Sequence, residues 1–158
     1  MTAAEAERTL TPDVTVVLPG EPRGKGSVRS RIVSGRSGQQ FVATYTDAET
    51  RSYEGMLRLA AERAMSGRRP LLGALRVRVV AHMPVPTSWS LKRSAAAHAG
   101  YVRPTVRPDW ENIAKTLDAL TGVVWADDKQ IVSGSIEKFY APKPMLVVDV
   151  WEQRGALI

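Results

Sequence analysis

Apolar residues recur along this chain with two different spacings, and the changes of spacing mark its elements. Val14, Val16 and Leu18 alternate with Thr15 and Val17, which predicts a short strand stopping at Pro19-Gly20. Thr46 followed by Glu49 has the form of a capping box, and Tyr53, Met56, Leu57, Ala60, Ala61 and Ala64 then continue one helical stripe to Ser66-Gly67. That helix is expected to be packing. Leu75, Val77, Val79, Ala81 and Met83 alternate with Arg76, Arg78 and His82, predicting a half-exposed strand with His82 at its surface. A second helix is expected from Asp109 to the stop at Gly122. Pro108 is tolerated just before it, Asp109 can accept hydrogen bonds from the free N–H groups of its first turn, and Trp110, Ile113, Leu117 and Leu120 form a core face. Val123-Val124-Trp125 then reads as a strand, Ala126 to Lys129 as its turn, and Ile131 to Tyr140 as the partner strand. After a turn at Pro142 to Pro144, Met145-Leu146-Val147-Val148 begins a last strand, apolar enough to be internal or covered on both faces.

Two stretches between these elements lack a period and are short of acids. Gly20 to Gln40 is a glycine- and serine-rich loop or hairpin carrying Arg23, Lys25, Arg29, Arg31 and Arg36 against Glu21. It is either a solvated loop or a phosphate-contacting arm, and the basic charge favours the arm. Pro84 to Pro108 is expected to be a long loop, with Lys92, Arg93, Arg103 and Arg107 and no acid. Trp89 and Tyr101 within it either stack on unpaired bases or pin the loop to the core. Met1 to Pro12, small and polar, reads as a tail, leaving residues 13–158 as one domain. The order of elements predicts an α+β fold, with a mainly antiparallel or mixed sheet and two main helices on one side.

Composition narrows the function. A chain of 158 residues with 44% hydrophobic residues has room for one real core. Its net charge of +6 favours polyanionic partners. Without cysteine there are no disulfides or thiolate metal sites, and two histidines are too few for a histidine-based zinc site. No apolar run is long enough to span a bilayer, nor does the N-terminus carry a signal-peptide segment, so a cytoplasmic location is the expectation.

Chemistry concentrates around the second helix. Glu111, Lys115 and Asp118 share one face by their spacing, Asp109 opens the helix, and Asp127-Asp128 follows in the next turn. Each has an ordinary explanation: a cap, an i,i+4 ion pair, a solvated charge, turn chemistry. Together they set acids beside two basic loops, where they would repel phosphate unless a cation intervened. Carboxylate oxygens of this kind suit Mg²⁺, which draws its remaining ligands from water and substrate phosphate.

The pattern Pro-Asp-x-(Asp/Glu)-Asn-x-x-Lys from Pro108, then Asp118-Ala119-Leu120-x-Gly122-x-x-Trp125-x-Asp127-Asp128-x-Gln130-Ile131, resembles the RusA family of Holliday-junction resolvases, of phage and prophage type. Val16 to Gly20 with Gly24-Lys25-Gly26, the helix near Tyr53, and Met83 to Ser90 extend the likeness over nearly the whole chain. Glu111 stands where the family usually has Asp, and the interval from Lys115 to Asp118 is one residue shorter. The resemblance implies a Mg²⁺-dependent endodeoxyribonuclease, with Mn²⁺ as a substitute. It would act as a homodimer, cutting four-way junctions by paired symmetric nicks in recombination and repair. By position it implies metal ligands at Asp109, Glu111 and Asp128, a catalytic role for Lys115 and a supporting one for Asp127. Lys25, Arg29, Arg31, Lys92, Arg93, Arg103 and Arg107 are the expected DNA contacts. Two rivals remain at this stage: a catalytically silent junction-binding protein, and a Mg²⁺ nuclease acting on flaps or other branched DNA.

Overall fold

The computed structural model describes residues 11–26 and 29–154; nearly all of the expected tail, Met1 to Pro12, lies outside them. The alternation at the start of the chain forms β1 (Val14–Pro19), with Val14, Val16 and Leu18 buried. The loop-or-hairpin alternative after it resolves as a hairpin, β2 (Arg29–Ser34) paired antiparallel with β3 (Gln40–Tyr45), a two-stranded sheet separate from the main one. Helix α1 (Ala48–Met65) follows, then β4 (Ala74–Met83) and a short α2 (Leu91–His98). Helix α3 (Trp110–Thr116), β5 (Ile131–Tyr140) and β6 (Met145–Gln153) complete the order.

The main sheet runs β1-β6-β4-β5, antiparallel except for the parallel pair β4–β5. β6 is internal, as its apolar character implied, and β4 is central as well. Register puts Val16 opposite Val148 and Val79 opposite the same Val148, so one face of three strands presents a continuous apolar surface. Helix α1 lays Tyr53, Leu57, Ala61 and Met65 on it, and Ile113 of α3 and Ala97 of α2 enter the same cluster. All three α-helices of the described residues therefore cover one side, while Arg76, Arg78, Asp149 and Trp151 stand on the other. The fold is a mixed α+β domain, as expected from the order of elements. No helix among the described residues is long and apolar enough to cross a membrane.

Several boundaries differ from the sequence expectation. Asp47, not Thr46, caps α1: its Oδ1 accepts from the Thr50 N–H at 2.9 Å and its Oδ2 from the Thr50 hydroxyl at 2.8 Å. The two oxygens of the carboxylate take one donor each. Met56 stands off the buried stripe and is 49% exposed. The segment Pro84 to Pro108 is not all loop, because Ser90 caps α2 through the Arg93 N–H and the Ala95-Ala96-Ala97 run propagates it. Trp89 packs edge-on against Tyr140 with ring centroids 5.2 Å apart, so of its two readings the pin to the core is the one observed. Tyr101 is exposed.

The second helix also breaks early. Beyond Thr116, whose hydroxyl donates to the Ile113 carbonyl at 2.6 Å, it tightens into a 3₁₀ turn, Leu117–Leu120. Trp110 lies off the core face at 58% exposure, leaving Ile113 and Leu120 as its fully buried members. Val123-Val124-Trp125 is buried but forms no strand; the Val124 carbonyl accepts from the Leu71 N–H at 2.8 Å and only isolated bridges remain. Burial produced the apolar run there, and β5 finds its partner in β4 instead. The contrast between Leu57 and Met56 is testable by urea unfolding. Leu57→Ala, at a fully buried site, should cost about 2–5 kcal/mol, whereas Met56→Ala should stay within roughly 0.5 kcal/mol as a surface change.

Candidate active site

The acids of the central motif are positioned by three local devices. The first is the entry to α3. Lys138 on β5 donates to the carbonyls of Val106 and Pro108, the latter at 3.1 Å, and so ties the incoming chain to the sheet. Asp109 occupies the N-cap position, and its carbonyl accepts from the Ile113 N–H at 3.0 Å. Its carboxylate makes no capping hydrogen bond, contrary to the expectation from sequence. Two residues on, Glu111 Oε1 lies 2.7 Å from Lys115 Nζ, the i,i+4 pair that the spacing predicts. Lys115 holds the Glu111 carboxyl below its ordinary range, first by this hydrogen bond and then by its charge.

The second device is the turn before β5. Asp127 caps the 3₁₀ segment Asp128–Gln130 by accepting from the Lys129 N–H at 3.0 Å, and that bond lowers its pKa. Gln130 closes the box. Its Oε1 accepts from the N–H groups of Ala126 and Asp127, both at 2.9 Å, and its Nε2 donates to the carbonyls of Leu71 at 2.9 Å and Gly73 at 3.0 Å. One amide thus fixes the turn that presents Asp128 to the connection before β4.

The third is the loop after β1. The Lys25 N–H donates to the Asn112 carbonyl at 2.9 Å, and Lys25 Nζ pairs with Glu54 at 2.8 Å and Asp118 at 3.2 Å. Asp118 is thus paired with Lys25, while Lys115 pairs with Glu111. The Asp109, Glu111 and Asp128 set does not close into a cage: no group of three His, Cys, Asp or Glu able to hold a metal occurs among the described residues.

The basic residues divide by what they touch. Arg29 and Arg31 are exposed on β2, with Arg31 5.6 Å from the Tyr45 ring centroid. Lys92 and Arg107 are exposed. Arg93 lies over Trp89 at 3.7 Å and Arg103 over Phe139 at 3.6 Å, and Arg103 Nε also donates to the Lys138 carbonyl at 2.7 Å. These two rest their stems on the fold while presenting positive charge. Sequence reading placed Gln130 in the motif without a role for it, and missed Lys138 and Glu54. Gln130 had a local signal, three residues after the Asp127 cap; the others meet partners distant in the chain, which no local pattern discloses.

A basic α+β domain with exposed carboxylates, one of them paired with a lysine, and with exposed arginines has the makings of a phosphodiester-cleaving enzyme. The family model for endodeoxyribonuclease RusA matches residues 19–151, and the chain belongs to that family, whose members are crossover-junction endodeoxyribonucleases. It is similar to the uncharacterized protein YqaN of Bacillus subtilis (strain 168), 31% identical over 139 residues that cover 84% of this chain and 92% of the relative.

Two outcomes follow from this geometry. Lys115→Met should raise the Glu111 pKa toward its ordinary value, seen by NMR titration of the Glu111 side-chain carboxyl. Because the pairing depresses that pKa, its contribution to stability is present above the ordinary value and lost as pH falls through the lower one; the variant should lose that acid dependence. Gln130→Leu should cost roughly 1–3 kcal/mol in urea unfolding, since the Ala126 and Asp127 N–H groups lose their acceptor.

Proposed function

We propose that this enzyme is a divalent-metal-dependent, structure-specific nuclease that resolves four-way DNA junctions by paired symmetric nicks, in recombination and repair. One observation carries the reading: Asp109 sits at a helix start with its carboxylate unused as a cap, two residues before an exposed Glu111 already paired with Lys115. Acids left open toward solvent in a chain of net charge +6 serve no evident packing purpose.

The donor set is all carboxylate oxygen, which fits a hard cation such as Mg²⁺, with Mn²⁺ as a substitute. Mg²⁺ commonly takes only one or two protein carboxylates, with water and substrate phosphate completing its shell, so a full protein cage is not required. Asp109, Glu111 and Asp128 are the residues that would hold it. When bound, the ion supplies charge neutralisation at the reacting phosphate and an acidified water. Lys115 contributes a fixed positive charge where negative charge develops on the phosphate oxygens, and Glu111 orients that ammonium through their ion pair. Asp127 and Gln130 act through the turn, holding Asp128 in place. Arg29, Arg31, Lys92, Arg93, Arg103 and Arg107 grip the phosphate backbone. A two-fold homodimer would place two such sites on the opposed strands of a two-fold junction. Residues 13–158 form the nuclease domain, acting in the cytoplasm.

Asp128→Asn should abolish junction cleavage while binding survives or tightens, because it removes a ligand charge and some repulsion of phosphate without changing shape. Glu111→Gln should also lose cleavage, and Glu111→Asp should reduce it, since the carboxylate is drawn back by one methylene. Cleavage of a synthetic four-way junction, a matched duplex and a flap, with Mg²⁺ or EDTA beside gel shifts, measures all three. Symmetric nicking confined to the junction supports the reading, flap cutting points to a branched-DNA nuclease, and binding without cleavage to a silent junction protein. Neutralising Arg29 and Arg31 together should weaken binding and flatten its log–log salt dependence by roughly 0.9 per lost contact.

A further inference from the structure

Lys25 looks like a DNA contact in sequence, lying in a basic glycine loop, yet the fold encloses its charge. Nζ is shared between Glu54 and Asp118, at 2.8 Å and 3.2 Å, and the side chain is only 23% exposed. The hydrogen bond to Glu54 is the largest influence on its pKa, which is raised despite the opposing effect of burial. An ammonium already neutralised by two carboxylates has little charge left for phosphate. Arg29 and Arg31, by contrast, are exposed.

The three partners come from three places: the loop after β1, the middle of α1, and the 3₁₀ turn that continues α3. The backbone repeats the connection, since the Lys25 N–H donates to the Asn112 carbonyl at 2.9 Å. Gly24 packs so closely that an added Cβ would stand 2.7 Å from Asn112 Cβ and 2.9 Å from Pro108 Cβ. Pro108, Asn112 and Asp118 bracket Asp109, Glu111 and Lys115 on both sides. The loop is therefore seated along the whole segment that carries the reacting groups.

We infer that Lys25 is a positioning residue for cleavage: with Glu54 and Asp118 it forms a clasp that fixes the α3 segment against α1 and so sets where Asp109, Glu111 and Lys115 stand, without touching phosphate. This rests on the reading of those three residues as the cleavage centre. It also gives Asp118 a role as the clasp's anchor on the catalytic segment. Removing Lys25 leaves Glu54 and Asp118 facing each other unneutralised, and a segment free to shift by about 1 Å loses on the order of a hundredfold in rate when it carries reacting groups.

The test measures single-turnover junction cleavage at saturating enzyme, together with affinity across a salt series, for Lys25→Met, Lys25→Arg, Asp118→Asn and the Lys25→Met/Asp118→Asn double variant. The clasp predicts a loss on the order of tenfold or more in the saturated rate for Lys25→Met, with the salt slope of binding unchanged. Asp118→Asn should reproduce that loss, the double variant should lose no more than the worse single one, and Lys25→Arg should recover part of the rate. A salt slope lowered by about 0.9 in Lys25→Met at an unchanged saturated rate would make Lys25 a phosphate contact and overturn the inference. Parent-like cleavage by Asp118→Asn would overturn it too, and this variant decides the matter if Lys25→Met fails to fold. Should the parent itself cut no junction, the functional reading fails separately, and amide exchange still judges the clasp. Faster exchange across residues 109–118 in Lys25→Met and Asp118→Asn than in the parent supports it, and unchanged exchange sinks it.

Discussion

Everything in this molecule hangs on the burial of one face of a four-stranded sheet. Val16, Val148 and Val79 stand side by side across three strands, and all are 0–1% exposed. The opposite face carries Arg76, Arg78 and Asp149, so the helices have only one side on which they lower the free energy by packing. Helix α1 takes the β1 side of that surface through Leu57 and Ala61, and Ile113 brings α3 onto the same cluster. That choice of side decides where the acids can be. With Ile113 directed inward, the start of α3 must lie at the edge of the core, where Asp109 and Glu111 meet water.

The strands and the long helix were legible because their periods are set by burial on one face. β1, β4 and α1 lie within a residue or two of where alternation and the three-to-four step placed them. Errors occurred where an apolar run owed its character to something other than a regular element. Val123-Val124-Trp125 is apolar because it is enclosed between the Leu71 connection and the end of the 3₁₀ turn, not because it pairs in a ladder. The α2 helix was hidden because it is short, lies within a proline-bearing basic stretch and buries only the small Ala97, although Ser90 ahead of an alanine run was a usable start signal. At the site, the short-range pairs were legible, Glu111 with Lys115 and Asp127 with its own turn. The long-range ones were not: Asp118 could be placed on the helix by counting, but nothing in counting reveals a lysine 93 positions away.

Charge is used here in two distinct ways. Ion pairs such as Lys25 with Glu54 and Asp118 are partly shielded and consume their charges internally, while exposed Arg29, Arg31, Lys92 and Arg107 keep theirs available. A protein of net charge +6 can therefore hold acids close to its exposed basic residues, because some of those acids are already neutralised within the fold. Asp109 and Asp128, by contrast, are exposed and form no ion pair with a basic side chain among the described residues.

The parallel pairing of β4 with β5 bears on how the enzyme comes into being. Parallel neighbours cannot be joined by a tight turn, so the whole stretch from Pro84 to Gln130, with α2, α3 and both acidic segments, is the connection that returns the chain to the same end of the sheet. Closing so long a loop costs entropy that is recovered only when β5 settles on β4. The two acidic segments are thus brought into a fixed relation late in folding, by the event that completes the sheet. A nascent or partly unfolded chain holds neither segment in register with the other, so their relation to one another is a property of the closed core.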